Sequence, residues 1–111
     1  MFLFTKKHYS VVSVGGTAPR TDPGAPVDPA KLTDAEKLAR YEVWDVFSAN
    51  AGTYQVSGNT VTLNAIVAKN LAVMARPGTP RDFKMEGNTM TLIQKSADGK
   101  RETRTILTRA E

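Results

Sequence analysis

Apolar and polar residues alternate with a period of two along "TYQVSGNTVTLNA" and again along "DFKMEGNTMTLIQK". Such alternation sends successive side chains to opposite faces of a strand, so each stretch reads as two strands with one apolar side. The near-copies "YQVSGNTVTL" and "FKMEGNTMTL" start at Tyr54 and Phe83, 29 residues apart. Gly and Asn tolerate the positive φ of tight two-residue hairpins. With Gly58-Asn59 as the tip, Ser57 pairs with Thr60, Val56 with Val61 and Tyr54 with Leu63, and Ala65 and Val67 continue that face. With Gly87-Asn88 as the tip, Met85 pairs with Met90 and Phe83 with Leu92, while Thr60, Thr62, Thr89 and Thr91 point the other way. A slip of one residue would exchange the faces. The copies are one hairpin solution used twice, and two are too few for a solenoid or propeller.

A third hairpin is expected in "SADGKRETR", around Asp98-Gly99. A two-residue turn sets Lys95 opposite Glu102 and puts Thr103, Thr105 and Leu107 on the face of Met90, Leu92 and Gln94. A longer, bulged turn brings in Arg104 and Ile106 instead, and the pattern admits both. Residues 1–14, "MFLFTKKHYSVVSV", read as one bent strand or two short ones. Residues 15–31 hold four of the six prolines and three of the eight glycines, so a surface loop is expected there, long enough for a lid or rim. Thr33 and Glu36 have capping-box spacing, and Ala35, Ala39, Val43, Val46 and Phe47 recur at helical spacing. They predict one α-helix over about 34–47, stopping near Asn50 or Gly52. The sum is a single domain, 1–111, mostly β, with about 6–7 antiparallel strands. Such strands close most economically into a barrel or strongly curled sheet.

Composition changes this picture little. The chain carries a net charge of +4, and from Lys69 onward nine Lys/Arg face five Asp/Glu, against six and six before it. Nucleic-acid platforms combine such charge with stacking aromatics, yet Phe83 is the only aromatic after Tyr54. Solubilising charge on outward strand faces is the expectation, with no nucleic acid as partner. No apolar run approaches the roughly 20 residues that cross a bilayer. "MFLF" is too short for a signal-peptide core, and cysteine is absent. The expected address is cytoplasmic, with no membrane partner. One histidine and no cysteine do not make the usual zinc or iron sites. The acids lack the pattern of a calcium loop, and Gly15-Gly16 precede Pro-rich coil instead of a helix, so no metal or cofactor is expected.

"LFTKKHYSVVSV", the Pro-rich loop with Arg20, "FSANAGTYQVSGNTVTL", "VAKN" and the terminal "DFKMEGNTMTLIQKSADGKRETRTILTRAE" together resemble the bacterial lipocalin-like domain proteins. The blocks run in the same order along essentially the whole chain, and "ANAGTY" with the following "V-x-GNT" is the most specific. The resemblance implies a calycin-type antiparallel barrel holding a small molecule, in a group with a few cofactor-free enzymes. Members usually carry an upstream Gly-x-Trp strand that does not precede Met1 here, and commonly proline where this chain has Leu71. A barrel short of that strand is expected to complete itself as a homodimer through paired edges.

The first functional reading is a cavity for a small hydrophobic or aromatic molecule. Tyr54, Val56, Val61 and Leu63 would line it from the first hairpin, and Phe83, Met85, Met90 and Leu92 from the second. Trp44 and Phe47 would pack the helix on the barrel or line its mouth. One of Arg20, Arg76, Arg81 and Arg104 would turn inward to hold an acidic group, Arg104 only under the bulged parity. The alternative is a cofactor-free isomerase, cyclase, lyase or hydrolase using His8, Tyr9, Tyr54 and Asp45, which requires His8 and Tyr54 to share one pocket. A third reading is an oligomerising module whose interior is filled by side chains.

Overall fold

A computed structural model describes residues 1–110. The strands are β1 (Phe2–Phe4), β2 (His8–Val14), β3 (Phe47–Ser57), β4 (Thr60–Ala68), β5 (Thr79–Glu86), β6 (Thr89–Lys95) and β7 (Glu102–Thr108). They form one seven-stranded antiparallel sheet in strict sequence order, curled into a nearly closed barrel shape. The N-terminal segment is thus two short strands, with Phe4 opposite Tyr9.

Both repeated hairpins have the expected register: Val56 faces Val61 and Tyr54 faces Leu63, while Met85 faces Met90 and Phe83 faces Leu92. Only the glycines take positive φ, 56° at Gly58 and 61° at Gly87, whereas Asn59 and Asn88 do not. Positive φ confined to the first central residue is the pattern of a type II′ turn, which suits the right-handed twist of the flanking strands.

The open parity of β7 is resolved by its own turn. Ser96 N–H donates to Arg101 O at 2.8 Å and Gly99 N–H to Ser96 O at 2.9 Å, which sets Lys95 opposite Glu102. Leu107 then faces Met90 and Thr105 faces Leu92, with Arg104 and Ile106 on the outer side.

One parity expectation fails. Gly52 pairs with Ala65 but Ala51 pairs with Val67, so Ile66 is an extra residue in β4. This β-bulge moves Val67 from the inner to the outer face, where it is exposed.

Two helices complete the chain. α1 (Asp34–Asp45) begins with the expected capping box: Glu36 N–H donates to Thr33 Oγ1 at 3.2 Å, and Thr33 N–H donates to Glu36 Oε2 at 2.8 Å. It ends earlier than its periodicity predicts, because Phe47 already pairs with Val14 and Asn50 and Gly52 lie within β3. Lys69, directly after β4, caps its C-terminus through Nζ, which donates to the carbonyls of Trp44, Asp45 and Phe47. A second, unexpected helix, α2 (Leu71–Ala75), starts at Asn70, whose Oδ1 accepts from Ala72 N at 3.0 Å.

The packed core is small. Tyr9, Val61, Leu63 and Leu92 are the buried apolar residues, with Phe2, Phe4, Val11, Tyr54, Phe83, Met90 and Leu107 packed against them. No residue of α1 is buried. Its Ala39–Val43–Val46 side meets the 15–23 loop across an open cleft of about 620 Å³, leaving Leu38, Tyr41 and Trp44 exposed.

Candidate functional site

The site is built on the inner face of the sheet. Alternation aims Phe2 and Phe4 of β1, Tyr9 of β2, Tyr54 of β3, Val61 and Leu63 of β4, Arg81 and Phe83 of β5 and Leu92 of β6 at one interior. Four aromatic rings meet there. Phe2 stacks on Phe4 with centroids 5.1 Å apart, Phe4 meets Tyr54 edge-on at 5.1 Å, and Tyr9 lies 6.2 and 6.4 Å from Phe2 and Phe4. Offset and edge-on contacts of this kind add to simple burial.

Two polar groups enter this apolar interior. Tyr9, 3% exposed, donates its phenol to Asn50 Oδ1 at 2.7 Å. Burial raises the Tyr9 pKa, and the nearby Arg81 charge partly offsets that rise. Arg81 sits opposite Val61, the most buried side chain, and its guanidinium carbon lies 5.7 Å from the Phe2 ring centroid on the facing wall. Among the described residues, none accepts a hydrogen bond from the buried Nε of Arg81, and no carboxylate forms an ion pair with it. Loss of water lowers the Arg81 pKa, and Tyr9 partly counters the effect. Arg81 as a residue is only partly buried, so it is the Nε donor that the fold withholds from both water and an acceptor.

Toward the hairpin tips the inner wall stays apolar but loses its cover. Tyr54, Phe83 and Met90 are half-buried, while Val56 and Met85 are each 56% exposed. The expected lining therefore divides in two. Val61, Leu63 and Leu92 are packed core, and Tyr54, Val56, Phe83, Met85 and Met90 are apolar inner-face residues that stay partly or largely exposed toward the hairpin tips.

Other candidates fall elsewhere. Phe47, opposite Val14, lies on the outer face with Trp44 5.7 Å away, and Lys69 Nζ sits over the Trp44 ring. Those two aromatics do not line the mouth, because strand parity turns Phe47 away from Tyr54. Arg104 is also on the outer side, held to Glu102 at 2.6 Å. Arg76 donates to Ala72 O, and Arg20 lies over Phe47. His8 is exposed on the outer face opposite Thr53, whereas Tyr54 points inward and donates its hydroxyl to Thr5 O at 2.7 Å. The sheet separates His8 from Tyr54 and from its own neighbour Tyr9, and Asp45 is exposed at the end of α1. The imidazole and the phenols do not share a pocket.

Asn50, Phe2 and Phe4 escaped the reading of the sequence as site residues. The signal for Arg81 was present: it shares the two-residue spacing of Phe83 and Met85, and so belongs to their face. Among the described residues no group of three or more histidines and acids is placed to hold a metal ion, and no helix is long and apolar enough to cross a membrane. No protein-family model, curated protein or solved structure matches this chain.

Proposed function

We propose that this chain is a lipocalin-like binding protein that takes a small hydrophobic or aromatic molecule into the mouth of its barrel. The observation that carries this reading is the continuous apolar wall from the buried Leu92 out to the exposed Val56 and Met85. Apolar side chains on a concave inner surface gain free energy when an apolar occupant displaces water. The separation of His8 from Tyr54 weighs against the catalytic alternative. Titration with naphthalene-type and medium-chain aliphatic compounds, read by thermal unfolding, is expected to raise Tm in a concentration-dependent way. Binding at one hundred times Kd stabilises by about 2.7 kcal/mol. A Val56→Asp/Met85→Asp variant is expected to abolish the shift. Absence of stabilisation by every compound in the wild type would reject the reading.

A second reading, self-association, is favoured by area. The chain exposes 8657 Å², whereas a folded monomer of 12.1 kDa is expected to expose about 6,000 Å². The radius of gyration is 17.6 Å, against about 13 Å for a compact domain of this length. The excess surface is on the scale that an obligate dimer buries. We infer that the occupant is a second copy. It would seat on the exposed Leu38–Tyr41–Trp44 side of α1 and, through Phe47, on the outer-face residues Val14 and Val67. Sedimentation equilibrium at micromolar concentration is expected to give twice 12.1 kDa, and Tyr41→Asp/Trp44→Asp the single-chain mass. A wild-type monomer under those conditions would exclude it.

A further inference from the structure

Among the described residues, Arg81 is the one charged side chain that strand alternation aims into the apolar interior; it is partly buried, and its Nε has no acceptor. Its neighbours across the sheet and on the facing wall are Val61, Phe2 and Tyr9. The Tyr9 phenol is engaged with Asn50, and Arg81 Nε is cut off from solvent without an acceptor. Each of the three ion pairs found elsewhere in the described residues lies on exposed side chains or their rims. A buried donor without a partner costs about 1–3 kcal/mol, and more when it is charged. An occupant that brings a planar anion recovers that cost through paired N–H···O contacts.

The position of Arg81 also orders the ligand. Arg81, Phe83 and Met85 follow one another along the inner side of β5, from the packed core to the open mouth. Four residues of strand span about 13 Å. A molecule entering head first would set its anion at Arg81 and lay its apolar body along Phe83 and Met85.

Resting on the binding function proposed above, we propose that the ligand is an amphipathic carboxylate whose carboxyl group pairs with the Arg81 guanidinium at the base of the mouth. Neutral molecules of the same shape would use the apolar wall alone and bind more weakly. The Tyr9–Asn50 pair stands beside the carboxyl position and holds the wall of the site in place.

Calorimetric titration of decanoate and of decanamide separates the head-group contribution from the apolar one, because the two share one chain and differ only at the head, an anionic pair of acceptor oxygens against a neutral amide. The wild type is expected to bind decanoate at least tenfold more tightly. In Arg81→Met, which keeps side-chain length and apolar volume, decanamide affinity is expected to persist while the preference for the acid disappears. Arg81→Lys is expected to restore part of that preference without the geometry of the fork. Folding of each variant is checked by its unfolding transition, and 2-naphthylacetate with its amide repeats the comparison on an aromatic body. Equal affinity of acid and amide in the wild type would overturn the role of Arg81 and leave apolar binding intact. Retention of the full acid preference in Arg81→Met would overturn it equally. Failure of all four compounds to bind the wild type would reject both the carboxylate and the binding function beneath it.

Discussion

Replacing Leu92 by alanine is expected to cost about 3 kcal/mol, within the 2–5 kcal/mol range for Leu→Ala in a packed core. Leu92 is 1% exposed and stands between Phe83 on β5 and Thr105 on β7. It is one of only four buried apolar residues, so few neighbours remain to collapse into the space it leaves. In a chain of this length the cost corresponds to a fall in Tm of about 12 °C. Ile106→Ala serves as the comparison. Ile106 has similar size but is 70% exposed on the outer side of β7, and its loss is expected to change stability by under about 0.5 kcal/mol. Differential scanning calorimetry on the two variants distinguishes the parities of β7. Equal losses would mean that Ile106 packs as Leu92 does, and the inward assignment of Leu107 would have to be abandoned.

That parity shows where the sequence was sufficient and where it was not. The two Gly-Asn hairpins were legible because turn chemistry and alternation agree: the tip residue sets the register, and every apolar partner then falls on one face. The helix start was legible for the same reason, since Thr33 and Glu36 satisfy each other's backbone donors locally. The last strand was not, because Asp98-Gly99 fits turns of either parity and both resulting faces mix apolar and polar residues. Val67 was misplaced because a bulge depends on the backbone pairing of two strands, which single-strand periodicity does not carry. Helix α2 was missed because five residues hold too little periodicity to stand out. For Trp44 and Phe47 helical spacing left two readings, packing the helix on the barrel or lining its mouth, and strand pairing at Val14, which fixes Phe47 on the outer face, removes the second.

The site divides along the same line. Phe83, Met85 and Met90 were readable from hairpin register, and with them the apolar wall. The Tyr9–Asn50 contact joins residues 41 apart in sequence, and the approach of Arg81 to Phe2 spans the barrel, so neither has a local signature. Local patterns specify which face a residue takes. Only closure of the sheet decides which faces meet.

The pairing of β3 with β4 at the bulge brings two backbones into close approach, and Gly52→Ala is expected to be the other severe substitution. A Cβ at Gly52 would lie 1.9 Å from the carbonyl oxygen of Asn64 and 2.9 Å from the Cα of Ala65. Both are backbone atoms of the paired strand, so relief requires β4 to move away from β3. Gly78 gives a matched control: a Cβ there meets Asn64 Oδ1 at 2.2 Å and Thr62 Cγ2 at 2.6 Å, both ends of side chains that rotate aside. Overpacking against a fixed neighbour costs typically 1–3 kcal/mol, and the backbone contact puts Gly52→Ala at about 3 kcal/mol. Gly78→Ala is expected to stay under about 1 kcal/mol, because lost flexibility of the unfolded chain offsets part of the crowding. Thermal unfolding therefore should separate the pair by roughly 8 °C; an undiminished Tm in Gly52→Ala would mean that β3 and β4 pair without this close approach. The same substitution reaches the proposed dimer surface, since the bulge is what turns Val67 outward beside Ala51. If the strained strand escapes by losing the bulge, Val67 swings inward and self-association should weaken together with stability. Tyr41→Asp/Trp44→Asp, by contrast, weakens association and leaves the β3–β4 register unchanged.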